Sequence, residues 1–156
     1  MAEREMSRTK ETFEPRISLI TLGVRDVEAS AQFYERMGFE RSKSSSTDSV
    51  VFIPLRGIVL GLFSRTALAE DAGLDASPPT PFGGITIAYN TRSEEEVDRL
   101  FELMVSVGGK PLKAPQKVFW GGYSCYVADP DGHPWEIAFN PHWEVSPDGA
   151  MRLPAG

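Results

Sequence analysis

His133, His142 and Cys125 are the whole supply of imidazole and thiol side chains in this 156-residue chain. Zinc centres draw three or four ligands from His, Cys and carboxylates. A non-haem iron centre needs two His and one carboxylate on one face. The spacing here opposes both. His133 stands three residues before Glu136, so strand alternation points the two to opposite faces. His142 follows a proline after the last apolar run has ended. Cys125 lies in the alternating run GGYSCYVAD and reads as a small buried thiol. It has no partner for an intrachain disulfide, and no base or helix N-terminus in the sequence lowers its pKa. Glu136 remains. An inward carboxylate among apolar walls has a raised pKa and suits a general acid or base; the alternative is a carboxylate bonded to a neighbouring tyrosine or main-chain amide.

The elements that position these residues follow from periodicity. RISLITLGV (16–24) reads as a buried strand. Asp26 is an N-cap for the helix DVEASAQFYERMG, in which Val27, Ala31, Phe33, Tyr34 and Met37 recur near helical spacing and Gly38 is the stop. Phe39 to Ser46 reads as a partly exposed strand, followed by the strands VVFIPL and IVLGLF. Residues 64–81, ending in SPPTP, read as a short helix and a proline-stiffened linker. The second half repeats the order. FGGITIAYN is a strand. Ser93 and Glu96 form a capping box for a helix whose stripe is Val97, Leu100, Phe101, Met104 and Val105, with Gly108 as its stop. KPLKAP, GGYSCYVAD and PWEIAFN complete the half. The expected domains are a flexible tail (1–14), one domain over 15–141 made of modules 16–63 and 82–141, and a C-terminal extension (142–156).

Sixteen Lys and Arg against 22 Asp and Glu give a formal charge of −6, with no basic cluster to neutralise phosphates, so no nucleic-acid partner is expected. No apolar run approaches the roughly 20 residues of a membrane helix, and residues 1–14 carry no signal-peptide segment. The expectation is a cytoplasmic protein with no membrane partner.

GVRDVEASAQFYERMGF and DPDGHPWEI together resemble the vicinal oxygen chelate superfamily, which includes glyoxalase I, extradiol dioxygenases and bleomycin- and fosfomycin-resistance proteins. The resemblance covers about Arg16 to Pro141. It implies an α+β fold in which two tandem βαβββ modules form a cupped mixed sheet. In metal-dependent members, four strand positions supply His, Glu or Gln ligands. Carried onto this sequence they fall on Leu19, Gly61, Gly84 and Glu136, of which only Glu136 can bind a metal. No metal and no cofactor is therefore expected.

A metal-free cup opened by Gly61 and Gly84 and dried by Leu19 suits an organic guest. The second half is rich in aromatic residues, as a flat apolar ligand requires. The candidate ligand-binding residues are Leu19, Thr21, Gly61, Phe63, Gly84, Tyr89, Trp120, Tyr123 and Glu136. Of Tyr123 and Tyr126, strand alternation allows one in the cup. Glu136 is the candidate catalytic residue, with Thr21, Tyr89 or Tyr123 as a second polar group. Three readings follow: a bleomycin-resistance-like binding protein, homodimeric with clefts spanning both subunits; a metal-independent lyase or isomerase using Glu136; and a partner-binding module whose cup is filled by its own side chains. The glyoxalase and dioxygenase reactions need a metal and are disfavoured.

Overall fold

The computed structural model describes residue 12 and residues 14–77 and 82–155. Most of the expected N-terminal tail and the prolines at 78, 79 and 81 lie outside the described residues. Among the described residues no helix is long and apolar enough to cross a membrane.

The first half opens with β1 (Leu19–Val24) and α1 (Val27–Arg36). Asp26 caps α1 as its residue type dictates, its Oδ1 accepting from the Ala29 amide at 2.9 Å. Gly38 ends the helix at φ 109°, a left-handed conformation that glycine reaches without a Cβ clash. β2 (Val50–Pro54) and β3 (Val59–Ser64) follow, and the sheet order is β1-β3-β2, with β1 and β3 parallel. The Phe39–Ser46 stretch is not a strand. Its serines satisfy local backbone instead: the Phe52 amide donates to Ser46 Oγ at 3.0 Å and the Ser45 amide to Ser42 Oγ at 3.3 Å. Hydroxyls this close to the main chain compete with a sheet ladder. A short helix, α2 (Arg65–Asp71), leads out of β3.

The second half contains β4 (Ile87–Asn90), α3 (Glu94–Ser106), β5 (Lys110–Lys117), β6 (Tyr123–Ala128) and β7 (Pro134–Phe139), in the order β4-β7-β6-β5. Ser93 caps α3, with the Glu96 amide donating to its Oγ at 3.2 Å. The parallel pairs β1·β3 and β4·β7 occupy the same place in their sheets, so the fold is a mixed α+β repeat. A two-stranded hairpin, β8 (Glu144–Val145) and β9 (Met151–Arg152), follows.

One hydrophobic core joins the halves. Leu22, Val24, Phe33, Tyr34, Ile53 and Leu62 from the first half pack with Val97, Met104, Val127, Trp135 and Ile137 from the second. Burying a side chain of this size stabilises by roughly 1.5–3 kcal/mol. Both main helices therefore lie on the core side of their sheets, and alternate strand residues face outward.

Candidate functional site

Strand alternation sorts the expected site residues onto faces. In the first sheet, Leu22, Val24, Leu60 and Leu62 are buried in the core, so Leu19, Thr21, Gly61 and Phe63 share the outer face. Thr21, Gly61 and Phe52 stand side by side across β1, β3 and β2. A Cβ on Gly61 would lie 3.0 Å from Thr21 Oγ1, so glycine lets that hydroxyl sit flat on the sheet. The outer positions of these strands carry no charge. Leu19, Ser42, Ser45, Phe52, Pro54 and Val59 line a shallow groove there of about 330 Å³.

The corresponding row in the second sheet is Ala88, Glu136, Tyr126 and Lys113. Tyr126 donates its hydroxyl to Glu136 Oε2 at 3.1 Å. Burial, then the Glu136 charge, hold the Tyr126 phenol above its ordinary pKa, so the tyrosine is the donor and the carboxylate the acceptor. Among the described residues no ion pair engages Glu136. Glu136 thus presents a half-buried carboxylate, bonded on one side by a phenol, on a face where its row neighbours are Ala88 and Tyr126.

Tyr123 does not reach this row. It faces the helix side, donating to Asp98 Oδ1 on α3 at 2.7 Å, because it is three residues from Tyr126 and alternation reverses it. Tyr126 is the tyrosine beside Glu136. The signal for it was present: counting outward from the DPDG turn, Ala128 pairs with Pro134 and Tyr126 with Glu136. Tyr89 is likewise separated from Glu136. It pairs with Ile137 and lines an apolar crevice of about 230 Å³ on the helix side with Met37, Phe39, Leu103 and Trp135. Trp120 folds its ring over Gly122, where a Cβ would lie 1.7 Å from Trp120 Cζ3, and is 36% exposed at the β5–β6 turn.

Gly84 also moves. It has φ 86° and lies ahead of β4, which begins at Ile87. Asp26 and Ser93 hold the same N-cap position in α1 and α3, and counting back from each makes Thr86 the counterpart of Leu19. Counted from the helix caps, the four positions that the resemblance implies become Leu19, Gly61, Thr86 and Glu136. Leucine and glycine carry no donor atom and a threonine hydroxyl is a poor zinc ligand beside thiolate, imidazole or carboxylate. Among the described residues no three His, Cys, Asp or Glu side chains gather where one ion could be held. His133 is committed elsewhere, its Nε2 lying 2.9 Å from the Gly23 carbonyl. A family metal ion does not fit this donor set.

The sequence model of the Glyoxalase/Bleomycin resistance protein/Dioxygenase superfamily matches residues 16–137. No curated protein gives a significant match. Among solved structures, a glyoxalase-related enzyme from Fulvimarina pelagi is 39% identical, with a TM-score of 0.81 over 91% of this chain and 100% of that one. A hypothetical protein from S. aureus is 25% identical, with a TM-score of 0.70 over 83% of this chain and 96% of that one. A lactoylglutathione lyase from Agrobacterium tumefaciens, 21% identical over 81% of this chain and 95% of its own, has a TM-score of 0.62 and speaks for the fold alone.

Proposed function

Because the chain belongs to the Glyoxalase/Bleomycin resistance protein/Dioxygenase superfamily, we propose that it binds a small amphipathic or aromatic organic molecule on the outer faces of its sheets, in the cytoplasm and without a metal ion. The observation that carries this reading is the Glu136–Tyr126 pair, an acceptor and a donor 3.1 Å apart with no ion pair on the carboxylate among the described residues. Apolar walls with a few convergent polar groups are what organic ligands need. Leu19 and Phe52 supply a wall, Glu136 and Tyr126 the polar handle. A guest with a protonated amine would donate to the Glu136 carboxylate beside the bond from Tyr126.

The groove at Leu19 draws its lining from the first sheet and the serine turn alone. A homodimer that sets the first sheet of one copy against the second sheet of its partner would close it, and such isologous pairing is the commonest oligomer. The site then spans both subunits.

A second reading is favoured by the same hydrogen bond: a metal-independent lyase or isomerase in which Glu136 takes a proton from substrate and Tyr126 donates one. What favours it is that Glu136 and Tyr126 stand 3.1 Å apart on one face, close enough for both to reach one bound molecule. A panel of cationic and neutral aromatic compounds screened by thermal shift tests the binding reading, because any ligand preferring the folded state raises its apparent stability. Stabilisation by cationic aromatics that weakens at least tenfold in Glu136→Gln supports it; indifference of every stabilising compound to that substitution removes Glu136 from the site. Turnover lost in Glu136→Gln with binding retained selects the enzyme.

A further inference from the structure

Two turns of this chain are built alike, although they lie in different elements. Asp129-Pro130-Asp131-Gly132 joins β6 to β7, and Ser146-Pro147-Asp148-Gly149 joins β8 to β9. In the first, the Asp129 amide donates to the His133 carbonyl at 2.9 Å and the Gly132 amide to the Asp129 carbonyl at 3.0 Å. In the second, the Ser146 amide donates to the Ala150 carbonyl at 2.9 Å and the Gly149 amide to the Ser146 carbonyl at 2.8 Å. The leading side chains also match: Asp129 Oδ1 accepts from the His133 amide and Ser146 Oγ from the Ala150 amide. Both leading residues are buried, at 2% and 1% exposure. The two glycines have φ of 88° and 92°.

Each turn also accepts a bond from an arginine beside a helix cap. Arg25 directly precedes the α1 N-cap and Arg92 directly precedes the α3 N-cap. Arg25 Nη2 donates to the Pro130 carbonyl at 3.2 Å, and its amide donates to Asp131 Oδ1 at 2.9 Å. Arg92 Nη2 donates to the Ser146 carbonyl at 2.7 Å. By the repeat, the partner of Arg92 should be the β2–β3 turn of the first half. That turn is only Arg56-Gly57, closed by the Leu55 amide on the Ile58 carbonyl at 2.8 Å, and it has no Pro-Asp-Gly to offer. Instead Arg56 Nη1 donates to the Asp148 carbonyl.

We propose that the C-terminal hairpin is a strap that supplies the second junction between the halves with the turn the first half lacks, holding Arg56 on one side and Arg92 on the other. The β6–β7 turn fastens the second half to Arg25, and the β8–β9 turn fastens Arg92 back to the first half. The strap lies beyond residues 16–137, the span shared with the family.

A strap differs measurably from two unrelated surface hydrogen bonds, because breaking either end disconnects it. Arg56→Ala and Arg92→Ala each lower Tm by about 2–4 °C, the effect of losing one such contact in a domain of this size. The double variant then melts no lower than the weaker single one, and either substitution speeds amide exchange at both Ser146 and Gly149. Additive losses in the double variant, as for independent sites, or unchanged exchange at those amides would overturn the proposal. A chain ended at Pro141 should melt like the double variant and be insensitive to Arg92→Ala; melting unchanged from the full chain also overturns it. If that chain fails to fold, the full-length arginine variants decide alone.

Discussion

Tyr34 on α1 donates its hydroxyl to Asp129 Oδ2 at 2.7 Å, although the two residues lie 95 positions apart. The same oxygen of Tyr34 accepts from Trp135 Nε1 at 3.1 Å, and the two rings pack with centroids 5.7 Å apart. Asp129 receives the amides of Asp131 and His133 on its other oxygen, at 2.9 and 2.8 Å. The β6–β7 turn is thus bound to the first helix through the core, and it fixes the register that puts Tyr126 beside Glu136.

Tyr34→Phe removes a donor from a buried carboxylate and an acceptor from a buried indole. Leaving such groups unsatisfied costs about 1–3 kcal/mol, read as a lower midpoint in urea with unchanged slope. Burial already holds the Asp129 carboxyl above its ordinary pKa. Losing Tyr34 raises it further, so the added penalty is largest with Asp129 ionised and shrinks as pH falls through the carboxylate range. A penalty that grows on acidification would contradict this.

Alkali should unfold the protein early. Burial pushes the Cys125 thiol up to about 11 from an ordinary 9.0. A hydrogen bond to Asp98 pushes Tyr123 up to about 12 from 10.0, and burial followed by the Asp129 charge raises Tyr34. The unfolded chain gives up these protons at their ordinary values while the folded one keeps them. Their stability is complete below about pH 9 and lost as pH rises toward 11–12. Urea midpoints measured across that window should fall steadily, and Cys125→Ala should flatten the first part of the fall.

Gly61→Ala sets a Cβ 3.0 Å from Thr21 Oγ1, so the threonine must give way by a few tenths of an ångström, and the two positions should be coupled by about 0.5–3 kcal/mol in a double-mutant cycle. Gly61→Ala should be more favourable in a Thr21→Ala background than in the native chain, where the hydroxyl is crowded. Additive losses would mean that the two residues are not neighbours across β1 and β3.

Much of this was legible in the residues. Asp26 and Ser93 act as N-caps, and Gly38 and Gly108 end their helices at positive φ, because capping chemistry is local. The Phe39–Ser46 strand failed where serine hydroxyls captured nearby amides, a competition that hydrophobic pattern does not register. Alternation separated Tyr123 from Tyr126 but did not say which of them faced Glu136; the hairpin register did. The similar Ile-Thr pairs at 20–21 and 85–86 point to Gly84 as the counterpart of Leu19, whereas the helix caps point to Thr86, and Gly84 lies ahead of β4. The likeness of the SPDG and DPDG turns could be read in the letters, whereas the arginines they hold emerge only from tertiary contacts.

A metal-free organic site at Glu136 stands or falls on thermal shift of chelator-stripped protein, with Zn²⁺, Ni²⁺, Mn²⁺ or Fe²⁺ in parallel with cationic aromatic compounds. One or more of the aromatic compounds should stabilise the protein, with the effect abolished in Glu136→Gln, and no metal-dependent rise in Tm should disappear with the same substitution. A metal ion that raises Tm strongly in the native chain and fails to do so in Glu136→Gln would contradict it.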